Sequence, residues 1–110
     1  MPTFNEDLDY RVSADGGAVE LEPRPEHQVA PGTIHFAVLA TLAEVAAAQA
    51  AGGGVIPTQL SLQLVRRAGL AGLSARGRVL KAGRTLVFAE GEVFQEGELV
   101  AKVAVTFARV

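Results

Sequence analysis

The chain has 110 residues, of which 49% are hydrophobic, and a formal net charge of −2 at pH 7. This length suits one compact domain with one core, so we expect residues 1–110 to form a single domain. The chain has no cysteine, which excludes disulfides, thiolate metal sites and a cysteine nucleophile. Two histidines, His27 and His35, are too few for a convincing histidine metal site, and we expect no metal.

The first elements along the chain are two predicted short strands, Tyr10–Ala14 and Ala18–Glu22. They are joined by Asp15-Gly16-Gly17, a turn rich in residues that tolerate positive φ. A helix is then predicted over Ile34–Ala51, with Thr33 as its N-cap and three glycines at its end.

This apolar stretch approaches membrane-spanning length, but it is mostly alanine, contains His35 and Glu44, and lacks flanking basic residues. The N-terminal sequence also lacks the basic and apolar regions of a signal peptide. We therefore interpret the stretch as a helix within a globular core and expect a cytoplasmic protein without a membrane partner.

After the helix the apolar pattern changes from a period of 3.6 to a period of 2. Leu60, Leu62 and Leu64 alternate with polar residues, which predicts a half-buried strand. An antiparallel sheet with one long helix must lay that helix across one face, so an α+β fold is expected. Small residues in the strands would let the helix lie close to the sheet. Three further strands are predicted over Ser74–Ala82, Arg84–Phe94 and Leu99–Ala108, and their small residues are Ala75, Gly77, Ala89 and Gly91.

Glu44 is the only Asp, Glu, Lys or Arg between Glu26 and Arg66. Burying a carboxylate without a partner is costly, so an acid in an apolar helix is a candidate for chemistry. The alternative is that Glu44 lies where one edge of the helix reaches solvent. The side of the helix that carries Glu44 would leave either a groove for a ligand or space for a second subunit. The two interpretations are compatible if a ligand site lies at a subunit interface. That side carries only small residues, namely Ala37, Ala40, Thr41, Ala47, Ala48 and Ala51.

The start of the helix, from Gly32 to Ala37, is a second candidate site. Unpaired backbone N–H groups meet the positive end of the helix dipole there and can stabilise an oxyanion. His35 lies beside these amides, although such a histidine is more often a structural residue that hydrogen-bonds a loop than a catalytic group. Glu44 follows nine residues later, so the two side chains point in different directions and each needs residues from another element or another chain.

A run of basic residues without any acid extends from Arg66 to Arg84. Clustered arginines suit phosphate binding, because the guanidinium group matches phosphate oxygens. The alternative is a solvated strand face. Since no aromatic residues lie among these arginines and the chain is acidic overall, we expect no nucleic-acid partner.

Taken together, these segments resemble hotdog-fold thioesterases of the phenylacetate-degradation type. The resemblance rests on Gly32-Thr33-Ile34-His35 before the helix and on an acid nine positions after the histidine, at Glu44. It implies an α+β hotdog fold, in which an antiparallel sheet wraps one long central helix, and a homodimer or homotetramer. The family's His-Gly-Gly is His35-Phe36-Ala37 here. The resemblance continues through Thr58–Arg66, Gly83-Arg84 and Gly97–Ala101.

The resemblance further implies hydrolysis of an acyl-CoA thioester, with no cofactor beyond the CoA of the substrate. Glu44 would act as the general base for water or as the nucleophile. The amides of Phe36 or Ala37 would donate to the thioester carbonyl, and His35 would position the loop or the substrate. The CoA phosphates would bind between subunits, at Arg66, Arg67, Gly83 and Arg84.

Three other functions stay open at this point. The altered His-Phe-Ala motif favours a non-catalytic protein that binds acyl-CoA or another acyl ligand. A hydratase or dehydratase is a further alternative, because relatives with this fold use a histidine and an acid. The third is a structural dimerisation module in which Glu44 forms an ion pair across the interface.

Overall fold

The computed structural model describes residues 2–110 and consists of a six-stranded antiparallel sheet, a two-stranded ribbon and one long helix. In chain order the elements are α1 (Phe4–Leu8), β1 (Arg11–Val12), β2 (Val19–Leu21), a 3-10 helix (Pro25–His27), β3 (Gln28–Ala30), β4 (Thr33–Ile34), α2 (Phe36–Ala50), β5 (Val55–Leu64), β6 (Leu73–Ala82), β7 (Leu86–Gln95) and β8 (Glu98–Arg109). The order of strands in the sheet is β1-β2-β6-β7-β8-β5, and β3 pairs with β4 in a separate two-stranded ribbon. This arrangement confirms the predicted α+β class.

Helix α2 lies across one face of the sheet, over β6, β7 and β8. Its buried side chains meet the inward-facing residues of those strands and form the core, in which Leu42 and Phe107 are fully buried. The predicted role of the small strand residues is confirmed. A Cβ atom added at Gly77 would overlap the carbonyl of Ala46, and one added at Gly91 would overlap the carbonyl of Ala43. Helix and sheet can therefore approach this closely only with glycine at both positions.

The start of α2 differs from the prediction. The helix begins at Phe36, and its N-cap is His35 rather than Thr33. Thr33 and Ile34 are extended because they form β4 and because the Ile34 amide donates to the carbonyl of Ala68 at 2.8 Å. At 15 residues, α2 is the longest helix, and none within residues 2–110 combines the length and apolar character needed to cross a membrane.

Strand β5 also differs from the prediction of a half-buried strand. It is an edge strand that pairs with β8 alone, and α2 scarcely covers it. Leu62 packs partly against the core, but Leu60 and Leu64 remain 39% and 56% exposed in the single chain. The strand was predicted correctly, whereas the predicted burial is wrong for Leu60 and Leu64, because α2 scarcely covers this strand. The chain thus presents an open sheet edge with apolar side chains.

Candidate functional site

His35 is fixed at the N-terminus of α2 by two contacts. Its Nδ1 atom accepts a hydrogen bond from the amide of Ala37 at 3.0 Å. Its ring lies against that of Phe36, with the centroids 4.6 Å apart and the planes tilted by 30°. A ring nitrogen that accepts a hydrogen bond carries no proton, so the N–H group of this ring is on Nε2.

The two predicted oxyanion donors are in different situations. The Ala37 amide is already engaged by His35, while the Phe36 amide has no acceptor within residues 2–110. The free N–H group of Phe36 therefore lies at the positive end of the helix dipole, where it can donate to a developing negative charge. The Phe36 side chain is 53% exposed and borders this position.

Glu44 lies in the middle of α2, half-buried among small residues. Burial raises the pKa of its carboxyl above the ordinary value, and no hydrogen bond or charge from residues 2–110 offsets that effect. Nearby Ala40, Thr41 and Ala48 are also partly exposed, which agrees with a side of small residues that leaves space next to Glu44. Ala47, which was assigned to the same side, is instead buried against the sheet. From His35 to Glu44 the helix advances about 13 Å, so one chain does not bring these two side chains together.

A surface cavity of about 240 Å³ opens beside the start of α2. It combines Phe36 with Arg66 and Arg67, three of the predicted site residues, between the helix and the segment after β5. Sequence reasoning missed its apolar wall, although Leu64 and Val65 directly precede the arginines and could have indicated it. The apolar side chains that line the cavity are Ile34, Phe36, Leu39, Leu64, Val65 and Ala68.

The two arginines at this cavity are not electrostatically equivalent. Arg66 forms an ion pair with Glu98, with 2.8 Å between Nη2 and Oε2. Arg67 forms no ion pair with any of residues 2–110. The uncompensated positive charge at the cavity therefore belongs to Arg67, which makes it the better partner for an anion.

Gly83 and Arg84 lie in the turn between β6 and β7, far from this cavity. The Gly83 amide donates to the carbonyl of Leu86 at 2.8 Å, and Arg109 Nε donates to the carbonyl of Gly83 at 2.9 Å. The register of β5 with β8 places Arg109 beside Val55, at the other end of the sheet from Leu64. Strand β5 has ten residues, so its two ends are about 30 Å apart. One chain therefore does not place Arg84 beside Arg66 and Arg67.

Comparison with known proteins identifies a family for this chain. Residues 31–102 match the family model of the thioesterase superfamily. This match includes the start of α2, Glu44, the cavity and the turn at Gly83. No curated protein sequence matches the chain significantly.

Solved structures resemble the chain over nearly its whole length. The TT0310 protein from Thermus thermophilus has 29% identity and a TM-score of 0.88, with all of both chains covered. A mutant of the phenylacetic acid degradation protein PaaI from the same organism has 27% identity and a TM-score of 0.84, covering 97% of this chain and 98% of that one. The BH2602 protein from Bacillus halodurans, crystallised with CoA, shares the fold at 22% identity and a TM-score of 0.82, covering 94% and 74%.

Proposed function

The chain belongs to the thioesterase superfamily and has the hotdog fold, and on this premise we propose that it hydrolyses acyl-CoA thioesters. One observation carries the proposal: a single cavity is lined by apolar side chains, by Phe36 and by Arg67. Within residues 2–110 the Phe36 amide has no acceptor and the Arg67 guanidinium forms no ion pair. An acyl-CoA offers the matching groups, namely a thioester carbonyl, an apolar acyl chain and phosphates. The CoA-bound structure of BH2602, a protein with the same fold, supports this choice of ligand.

In the proposed reaction the thioester oxygen accepts a hydrogen bond from the Phe36 amide. Negative charge grows on that oxygen when a nucleophile adds to the carbonyl carbon, and the amide and the helix dipole stabilise it. His35 keeps the Ala37 amide engaged and leaves its Nε2–H group to position the substrate. Collapse of the tetrahedral intermediate breaks the C–S bond and expels the CoA thiolate, which takes up the proton that was removed from water. The carboxylic acid forms directly if water attacks, or after a second attack by water if a carboxylate nucleophile has formed an acyl intermediate.

Glu44 is proposed as the general base that removes a proton from the attacking water, or as the nucleophile itself. Because Glu44 lies about 13 Å along the helix from His35, we propose that the helix start of one subunit works with Glu44 of the partner subunit. The half-buried carboxyl and the small residues around it support an approach of a second chain on that side.

The open edge at β5 supports the same assembly. Two-fold symmetry would pair β5 with its own copy in antiparallel orientation and cover the exposed Leu60 and Leu64. Such pairing reverses the ends of the sheet, so that Arg67 of one subunit comes to the end that carries Gly83 and Arg84 in the other. The predicted CoA-binding residues, which one chain separates, could then serve one ligand.

A thiol-release assay tests the proposed activity. We expect the protein to hydrolyse at least one CoA ester from a panel of short-chain, aryl and long-chain acyl groups. The exposed Phe36 ring beside the helix start favours one alternative, a non-catalytic acyl-CoA binder. A binder would show a higher melting temperature with CoA esters and release no thiol with any of them, and that result would reject the thioesterase proposal.

Arg67 should contribute more to substrate binding than its neighbour. Arg67→Ala is expected to raise KM for an acyl-CoA about tenfold with little change in kcat. A charge-assisted hydrogen bond to a phosphate at an open site is worth about 1.5 kcal/mol, the lower end of its usual range, and about 1.4 kcal/mol corresponds to a factor of ten. Arg66→Ala is the matched control and should raise KM less than about threefold, because Glu98 already neutralises Arg66. Equal effects of the two substitutions would contradict the distinction between them.

A further inference from the structure

The side chain of Gln95, the last residue of β7, is bonded to the loop that connects β5 to β6. Its Oε1 atom accepts from the amide of Gly69 at 3.0 Å. Its Nε2 atom donates to the carbonyls of Gly69 and Ala71, both at 2.8 Å. One carboxamide thus forms three hydrogen bonds to two loop residues, much as a neighbouring strand would.

The orientation of this carboxamide is determined by its partners. Exchanging its oxygen and nitrogen would place an N–H group against the Gly69 amide and an oxygen against two carbonyls, so the contacts exclude the flipped arrangement. A side chain without both a donor and an acceptor cannot form this set of bonds. Glutamine is therefore specifically suited to this position.

The anchored loop is also bonded to the start of α2. Ala68 is buried, and its carbonyl accepts from the amide of Ile34, the residue before His35. On its other side the loop continues into Arg67 and Arg66, and the Arg66 amide donates to the carbonyl of Val100. The cavity wall that carries the arginines is thus connected to the helix start through Ala68 and to β7 through Gln95.

We propose that Gln95 is a positioning residue, which holds the β5–β6 loop so that Arg67 faces the start of α2 across the cavity. The inference rests on the proposed function, in which Arg67 binds the phosphate of an acyl-CoA. Gln95 itself does not line the cavity. It acts through Gly69 and Ala68, and its loss should displace Arg67 and loosen the bond between Ala68 and Ile34.

Amide hydrogen exchange, followed by NMR on Gln95→Ala, tests the loop role without any ligand. The Ile34 and Gly69 amides should exchange at least about tenfold faster than in the wild type. The Gly69 amide loses its acceptor, Gln95 Oε1, and the Ala68 carbonyl that accepts from Ile34 is no longer held in place. Gln49→Ala is the control, since Gln49 is an exposed glutamine at the end of α2, away from the cavity, and should leave both rates unchanged. An unaltered exchange rate at Ile34 in Gln95→Ala would overturn the proposal.

A double-mutant cycle on coenzyme A binding, measured by titration calorimetry, tests the connection to Arg67. Gln95→Ala and Arg67→Ala should each weaken binding about five- to tenfold, and the double variant should bind no more than about twofold more weakly than the weaker single variant. Independent effects that multiply in the double variant would contradict positioning through Arg67. If Arg67→Ala binds coenzyme A as the wild type does, the phosphate contact of the proposed function is wrong, while the exchange rates still decide the loop role.

Gln95→Glu gives a second variant of nearly the same size in case the alanine variant does not fold. The carboxylate keeps an acceptor for the Gly69 amide but loses both donors and lies against two carbonyl oxygens. Its coenzyme A affinity relative to the wild type should be low at pH 8 and partly recover at pH 5, where a neutral carboxyl group can donate again. Wild-type affinity at both pH values would count against the proposal.

Discussion

Replacing Glu44 with glutamine should lower kcat for acyl-CoA hydrolysis by about 10²–10⁴-fold, the usual contribution of a general base. Glutamine has nearly the same size and fits among the small residues of α2, but it neither accepts a proton from water nor forms an acyl intermediate. KM should change little, because the phosphate contacts lie elsewhere. Steady-state kinetics on the CoA ester that the wild type hydrolyses best would measure the effect.

Glu20→Gln is the matched control for this substitution. Glu20 is an exposed acid on β2, outside the cavity, and its replacement should leave kcat unchanged. Wild-type turnover by Glu44→Gln would show that the proposed role of Glu44 is wrong.

Glu44→Gln should not lower the free energy of unfolding. Burial raises the folded-state pKa of Glu44 above that of the unfolded chain, so the folded state binds its proton more tightly. Stability contributed by the neutral carboxyl is complete below the unfolded pKa of about 4.3 and is lost as the pH rises through the folded pKa. Denaturant unfolding at neutral pH should therefore give Glu44→Gln a free energy of unfolding equal to or above that of the wild type, which separates lost chemistry from lost fold.

Gly91→Ala should destabilise the protein strongly. The added methyl group would overlap the carbonyl of Ala43, which belongs to the helix backbone and cannot turn aside as a side chain can. Overpacking at a helix–sheet contact then forces α2 away from β7, and we expect a loss of about 3 kcal/mol and a Tm lower by about 10 °C or more. Thermal unfolding followed by circular dichroism would measure it.

Gly72→Ala provides the comparison for this substitution. A Cβ atom at Gly72 would meet the carboxylate of Glu22 at 3.1 Å, and that group lies at the end of a flexible side chain. Its free energy of unfolding should stay within about 0.5 kcal/mol of the wild type. If both alanine variants melted at the same temperature, close packing between Gly91 and the Ala43 carbonyl would not limit the residue at position 91 to glycine.

Local patterns were enough to predict most of the elements. The alternation in the last three strands identified β6, β7 and β8 to within two residues at each end. The sequence also indicated the contact between α2 and the sheet, since Gly77 and Gly91 stand out among larger neighbours. The start of α2 was predicted less well, because Thr33 and Ile34 take part in a ribbon and in a bond to Ala68, and that bond joins residues far apart in sequence.

The candidate site was predictable as residue types but not as an arrangement. Arg66 and Arg67 look alike in the sequence, and only the ion pair with Glu98 across the β5–β8 junction separates them. The role assigned to Gln95 had no local signal, because its three hydrogen bonds reach residues at least 24 positions away in the chain. Gly83 and Arg84 belong to the same basic run as Arg66, yet the path of β6 carries them to the other end of the sheet.

By itself, the amino-acid sequence determined the α+β class, the place of the long helix and the isolation of Glu44 in an uncharged stretch. These features depend on periodicity and composition, which act between neighbours along the chain. Within residues 2–110, the tertiary structure decided which helix-start amide lacks an acceptor, which arginine at the cavity lacks an ion pair and which long strand lies at an edge of the sheet. Each of those depends on partners from distant segments, and their positions follow from how helix and strands pack together rather than from any local pattern.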